Sequence, residues 1–332
     1  MKIVYLYPKS SLVTELRSDT LWGLIAYSMA LLYSKKEVDA FHESYNNGTT
    51  PFLISSVFPF KRKDEQPNPV LFFPRPVLHG TDFVVPEAHD KSQKLEYLQH
   101  LKKFKKIKFL TKELFEKILF GEIDDKKLFD SKSWLETEND KPNHRQELIP
   151  HNTISRETWS TLKIDDAGQL FTTEETFFES GSGLFFLARG EQLHYLVSAL
   201  RYLEHIGFGG DISTGKGYFE VKIEDFFLKE PKDAAAFVTL SLYSPTIKEV
   251  SLFKNNRDKV LYEPVLRKGR LGRNISHDVM KNPVMMFAEG SLFPVVPGQN
   301  YHGQNITVRK PNGKLTHPVY HYGMAFDVKI NA

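Results

Sequence analysis

The sequence has no cysteine in its 332 residues. That excludes disulfides, thiolate zinc sites and a cysteine nucleophile, and it fits a reducing compartment. Long apolar runs are missing too. The most apolar stretch, Leu21 to Tyr33, is too short to span a bilayer and carries Gly23 and Ser28. The start, "MKIVYLYPKS", lacks the apolar core and small-residue cleavage site of a secretory signal. Together these absences predict a cytoplasmic protein without a membrane partner. A strong charge of one sign is also missing. A net charge of +3 permits nucleic-acid binding without demanding it. What is present is ordinary for a folded chain, 41% hydrophobic and 26% charged residues, and the length favours two domains.

The pattern along the chain is mixed. "KIVYLY" reads as a buried strand, and "LRSDTLWGLIAYSMALLYS" as a helix apolar on nearly all sides, with Ser18 and Asp19 suited to cap it. "PFLISSVFPF" and "PVLFFPRPVL" read as strands around a polar loop. Residues 91–119 are lysine-rich with Leu and Phe at helical spacing, and predict one or two amphipathic helices. Residues 121–150, acidic and then polar with prolines, predict an exposed insertion. The stretch 151–188 predicts a β-hairpin turning near Asp165-Asp166-Ala167-Gly168. "EQLHYLVSALRYLEHIG" is a helix with Gly207 at its C-terminal end, and "YFEVKI" an alternating strand. After Pro231 strand–helix–strand order recurs, which predicts an α+β fold with two related halves.

Between that helix and strand lies "GFGGDISTGKGYFE" (207–220). Gly210-x-x-x-x-Gly215-Lys216 approaches a phosphate-binding P-loop, but Gly217 replaces the Ser or Thr that would hold magnesium. A P-loop also follows a strand and opens a helix, the reverse of the order here. Lys216-Gly217-Tyr218 and Val221 fit the RNA-contacting strand of RNA-recognition motifs, whereas Phe219, Glu220 and Ile223 depart from it. Taken by residue type, the stretch offers bare backbone N–H groups and one lysine. That chemistry suits close approach to phosphate and ribose, or simply a connector needing positive φ.

Three stretches carry a family resemblance. "RSDTLWGLIAY" (17–27) resembles the "SDTL-aromatic-G" helix start of the RAMP superfamily of CRISPR proteins. "GFGGDISTGKGYFEV" resembles its glycine-rich loop, with Gly207, Gly209, Gly210, Ser213, Gly215 and Gly217 in place. "NTISRETWSTLKIDDAGQLFTTEETFF" is similar to a third segment, through Asn152, Ile154, Arg156, Thr158, Gly168, Leu170, Phe171 and Glu174. Trp159 stands where family members usually have glycine. The order and spacing look most like the subunit of type III-A (Csm) effector complexes that holds the 5′ handle of the guide RNA. The likeness covers most of 1–225 and is weaker over 231–332.

The resemblance implies two ferredoxin-like (RNA-recognition-like) domains. The first spans 1–230, with an insertion at about 85–150 and a β-hairpin thumb at about 151–180; the second spans 231–332. It implies a non-catalytic RNA-binding subunit without cofactor or metal. Its partners are the crRNA 5′ handle, the large polymerase-like subunit, the first backbone subunit, and target RNA at the guide junction, where the thumb pushes out a base.

The residues expected at RNA follow. Gly209, Gly210, Ser213, Thr214, Gly215, Lys216 and Gly217 meet phosphates and sugars, and Tyr218 stacks on a base or packs in the core. Arg17, Ser18 and Thr20 open the first helix, whose N-terminus attracts anions, although plain capping explains them equally simply. Lys9, Ser10 and Ser11 line the same channel. In the thumb, Arg156 meets phosphate and Ile154 wedges against a base, beside Asn152. Arg267, Lys268, Arg270 and Arg273 form a second basic stretch.

Three other classes compete. The enzyme alternative is a metal-independent guide-processing endoribonuclease of the same superfamily, with His42 as base near Tyr45. A metal phosphohydrolase is weakly signalled by His89-Asp90, His277-Asp278 and the pair His317 and His321, four apart; such sites need several ligands on helices, and His317-Pro-Val-Tyr-His321 reads as a strand, with Pro318 against a helix. A protein scaffold without RNA contact is the third, and salt-dependent RNA binding discriminates against it.

Overall fold

The computed structural model describes residues 1–63, 67–79, 83, 91–164, 167–168, 170–269, 280–311 and 317–331. The first strand, Lys2–Pro8, is buried because it lies between two neighbours, next to one edge of a seven-stranded antiparallel sheet. One neighbour is Phe219–Asp225, with Leu6 opposite Val221, and the other is Ser182–Gly190, with Tyr5 opposite Phe185. Ser182–Gly190 then pairs with Phe58–Lys61 and Phe52–Ile54, and the sheet continues through Val70–Pro74 to Phe109–Thr111.

Strand alternation decides which side chains meet which layer. Val4, Leu6, Val221 and Ile223 share the face on which the helix Leu193–Ile206 lies. That helix buries Leu196, Ala199, Leu200 and Leu203, a stripe at helical spacing, and packs against the first helix, Ser18–Leu32. Leaving out the far-edge strands, the first half reads strand–helix–strand–strand–helix–strand. In space the last strand lies beside the first, then the third, then the second.

The opposite face carries Tyr5, Tyr7, Phe58, Phe60, Phe73 and Phe185. The insertion covers its far part. Phe115, from the helix Lys112–Leu119, stacks on Phe73 with ring centroids 5.0 Å apart. Each such buried aromatic contributes about 1.5–3 kcal/mol by leaving water.

Two expectations need correcting here. The lysine-rich stretch forms two helices, Lys91–Phe104 and Lys112–Leu119, as expected, but the last three of the seven residues between them add an edge strand, Phe109–Thr111, that was not expected. Residues 121–150 are not simply an exposed insertion. The helices Asp125–Asp130 and Trp134–Asp140 bury Leu128, Phe129 and Trp134 against Phe104. These three side chains join the main core, and three are too few to register as a periodic pattern.

In the second half, Ala236–Thr239 is the centre strand between Leu292–Pro294 and Asp327–Ile330. The helix Ile247–Asn255 follows Ala236–Thr239, as expected, and its N-terminus is closed by a reciprocal Thr246–Glu249 capping box. Two short hairpins, Pro264–Arg267 with Val284–Phe287 and Ile306–Arg309 with Val319–His321, are appended. Among the described residues, only a 3-10 turn, Arg257–Lys259, and no second α-helix follows in this half.

The two halves are joined at the start of the first helix. The Ser18 N–H donates to Ser56 Oγ at 2.9 Å, and Ser18 Oγ accepts the Leu242 N–H at 2.9 Å. Asp19 receives a two-pronged pair from Arg267 at 2.9 and 3.0 Å, and His321 Nδ1 lies 3.4 Å away. Burial alone would raise the Asp19 carboxyl; hydrogen bonds from His321 and Arg267 outweigh it and hold the group well below the usual carboxylate range. Arg17 pairs with Glu289, which also accepts from Ser56.

Candidate nucleic-acid interface

The glycine stretch begins where the helix Leu193–Ile206 stops. Gly207 N–H closes the helix on Leu203 O at 2.7 Å. Phe208 then turns inward, fully buried, and packs edge-on against Phe219. Its N–H donates to Gly217 O at 2.8 Å, so the loop is pinched shut at its base. Gly217 has φ +73°, and a Cβ there would lie 2.0 Å from Phe208 O, which explains the glycine. At the rim, Gly215 has φ +88° and open space around it.

The segment after the first strand holds the loop from the other side. Gly217 N–H donates to Ser11 O at 2.7 Å, Tyr218 N–H to Ser10 Oγ at 2.9 Å, and Gly210 N–H to Thr14 Oγ1 at 2.9 Å. These bonds leave a definite remainder. Among the described residues, the amides of Gly209, Asp211 and Ile212 have no acceptor. Asp211, at φ +54°, leads into a single 3-10 turn, Ile212–Thr214. Successive unbonded N–H groups around a left-handed residue make a concavity suited to an anion. Beside it an open groove of about 720 Å³ is lined by Lys9, Ser10, Glu204, Gly215, Tyr218, Phe219 and Glu220. The groove is not basic: its lining holds one lysine and two glutamates, Glu204 and Glu220, and Lys9 is paired with Glu220 at 2.8 Å.

The third wall is a two-stranded ribbon, Arg145–Asn152 with Leu170–Phe177. It starts six residues earlier than the expected hairpin. One face of the first strand is exposed and the other only half-buried, through Glu147, Ile149 and His151, so "RQELIP" carries no apolar alternation and gave no strand signal. Its base is fixed to the post-strand segment by reciprocal bonds between Leu12 and Thr176, at 3.0 and 2.8 Å. There Glu175 is fully buried, and its Oε2 accepts from Ser11 Oγ at 2.6 Å and from Lys216 Nζ at 2.7 Å. Burial pushes its carboxyl up; the bonds from Lys216 and Ser11 outweigh this and hold it below the usual range. The far end of the ribbon is a tight loop in which Ser155 Oγ accepts from the amides of Glu157 and Thr158. This loop presents Trp159, at φ +54°, 85% exposed, and Ile154, 62% exposed.

The structure therefore gathers Lys9, Ser10, Ser11, Gly209, Gly210, Ser213, Thr214, Gly215, Lys216, Gly217 and Tyr218 around one loop. Asn152, Ile154 and Arg156 lie together toward the ribbon's far end, where Asn152 Nδ2 donates to Thr161 Oγ1 at 2.7 Å and Arg156 is exposed. Ser18 is elsewhere: it is fully buried with its amide and hydroxyl both used, so it offers nothing to a ligand. Arg17 and Arg267 are spent on Glu289 and Asp19, and Thr20 sits beside them, its hydroxyl 3.4 Å from Arg267 Nη2. Lys268 is exposed; Arg270 and Arg273 lie outside the described residues, as do Asp165 and Asp166 of the expected turn. Residues that sequence reasoning missed are Thr14 and Glu175. Thr14 carries no pattern, and Glu175 is distinguished from exposed Glu174 only by strand alternation.

The residues of the competing readings are placed as follows. His42 packs among Trp22, Phe41 and Tyr320, and burial pushes its imidazole down to about 4. Tyr45 is buried and donates to Phe52 O at 2.9 Å, so it cannot meet a substrate. His321 is buried against Asp19, and His89-Asp90 and His277-Asp278 lie outside the described residues. No described helix is long and apolar enough to cross a membrane.

Comparison with known proteins agrees with the resemblance read from the sequence. Residues 232–330 match the family described as the CRISPR Csm4 C-terminal domain. Over 98% of this chain and 96% of the relative, the sequence is 26% identical to "CRISPR system Cms protein Csm4" of Thermococcus onnurineus (strain NA1). Two solved structures share the fold. One is a Csm1-Csm4 cassette in complex with cA4, with TM-score 0.58 and 21% identity, covering 99% of this chain and 97% of that one. The other is a Csm3-Csm4 subcomplex of the type III-A CRISPR-Cas interference complex, with TM-score 0.61 and 17% identity, covering 100% of both.

Proposed function

We propose that this chain, related along its whole length to Csm4 of type III-A CRISPR systems, is the non-catalytic subunit that grips the 5′ handle of the crRNA. The observation that carries the reading is the glycine loop itself. Among the described residues the loop amides of Gly209, Asp211 and Ile212 have no acceptor, and Gly215 of the same loop lines an open groove with Lys9, Ser10, Tyr218, Glu204 and Glu220. Amides of this kind take phosphate oxygens, and a half-buried tyrosine beside them offers a stacking face. In this reading the site holds a strand. We read both halves as ferredoxin-like units meeting near residue 230, the second pared down to one helix. The ribbon is the thumb, carrying Ile154, Arg156 and Trp159 outward toward the guide–target junction.

The partners follow from what the relatives are assembled with: a large Csm1-type subunit and a Csm3-type backbone subunit. The test is co-purification from cells carrying the whole locus, followed by sequencing of the bound RNA. Short guides sharing one 5′ end are expected, and they should be lost when Gly209, Gly210 and Lys216 are replaced together. Unchanged guide content in that variant refutes the loop's role. Incubating the pure chain with repeat RNA tests the non-catalytic part: a product that disappears in His42→Ala overturns it.

A further inference from the structure

The loop's lysine is already engaged. Lys216 Nζ lies 2.7 Å from Glu175 Oε2, and the same oxygen accepts Ser11 Oγ at 2.6 Å. Glu175 is fully buried at the base of the ribbon, while the Lys216 side chain keeps 25% of its exposure. A buried carboxylate without a partner is strongly destabilising, so these two contacts are what allow the charge to sit there. The backbone bonds between Leu12 and Thr176 fix the ribbon to the same segment that holds the loop. Thumb, post-strand segment and glycine loop thus converge on one carboxylate.

Resting on the RNA-gripping reading above, we propose that Glu175 is a positioning residue: it holds Lys216 as a neutral pair that sets the loop's place against the ribbon. The phosphate is then taken by the loop amides, and Lys216 adds little to phosphate affinity. The consequence is measurable because single-stranded nucleic acid releases counterions in proportion to the cations that neutralise its phosphates. Each contributes about 0.7 to the slope of log affinity against log salt. A lysine cancelled by a carboxylate contributes close to nothing. Glu175→Gln keeps the shape and an acceptor for Ser11 but frees the lysine's charge.

The experiment uses the full chain and a fluorescent single-stranded RNA of about ten nucleotides, titrated between roughly 50 and 200 mM salt. Lys216→Met is expected to leave the wild-type slope unchanged. Glu175→Gln should steepen it by about 0.7, and adding Lys216→Met should restore the wild-type slope. A merely structural role moves affinity and melting midpoint in these variants but not the slope. If Lys216→Met flattens the wild-type slope by about 0.7, the pairing role is overturned while the RNA reading stands. If the wild-type chain shows no salt-dependent binding, the RNA reading fails and this inference with it. Should either single variant not fold, the double variant Glu175→Gln with Lys216→Met, which leaves no buried charge, decides: a slope equal to wild type supports the pairing, and one flatter by about 0.7 overturns it.

Discussion

Gly217 and Gly215 both sit at positive φ two residues apart, yet alanine should be far worse at the first. At Gly215 the new methyl meets nothing within 4 Å, so only the left-handed backbone counts against it, about 1–2 kcal/mol. At Gly217 the same backbone cost applies, and the methyl also lands 2.0 Å from Phe208 O. Phe208 cannot simply retreat, because it is fully buried against Phe219. Relieving the clash breaks the Phe208–Gly217 and Gly217–Ser11 bonds, each about 1 kcal/mol net, and adds overpacking of about 1–3 kcal/mol. The expected cost of Gly217→Ala is therefore about 4–7 kcal/mol. Thermal melting should place that variant roughly ten degrees or more below wild type, with Gly215→Ala only a few degrees below. Hydrogen exchange should show lost protection at the amides of residues 217 and 218 in the first variant only. Equal melting of the two variants would refute the reasoning, because the clash would then be absorbed without cost.

Other expectations follow from the same geometry. Ser18→Ala leaves the Leu242 N–H without its acceptor in a dry interface and should cost about 1–3 kcal/mol, read as a lower unfolding midpoint. The His42 imidazole is pushed down to about 4 in the folded chain, against about 6.5 unfolded. The unfolded chain therefore binds the extra proton between these values. Stability present above pH 6.5 is lost as pH falls toward 4, by up to about 1.4 kcal/mol per unit, and His42→Phe should lessen that fall in melting scans. Trp159→Ala should leave the melting midpoint unchanged, since the indole is 85% exposed, but weaken RNA binding by about 1–3 kcal/mol if its face meets a base.

The elements most legible in the sequence were those with a strong period or a sharp stop. The helix ending at Gly207 and the alternating strand after the loop were both plain. The capping box at Thr246 fell where the short helix of the second half was expected. The glycine loop was legible as a loop because its order, helix before and strand after, excluded a nucleotide site. Other features were hidden for physical reasons. Ser18 looked like a cap or an anion contact, but it bonds to Ser56 and Leu242, 38 and 224 positions away. No local pattern encodes such partners. The edge strand Phe109–Thr111 is three residues long between two helices, too short for alternation to register. The partner of Lys216 lay in a strand whose buried and exposed glutamates are adjacent, and composition cannot tell them apart.

The junction at the first helix also bears on synthesis. Its first residues, Arg17, Ser18 and Asp19, find partners at Glu289, Leu242, Arg267 and His321. The helix Lys112–Leu119 likewise receives the Asn331 N–H, at 2.8 Å on Leu119 O. A ribosome releases the N-terminal half first. That half emerges with a buried aspartate still lacking its arginine, and with one end of its main helix open. It can collapse early, but it closes only when residues 242–331 have emerged as well. A translation product interrupted before residue 242 should therefore be a target for proteases, and arrival of the second half is in effect a quality check on the first.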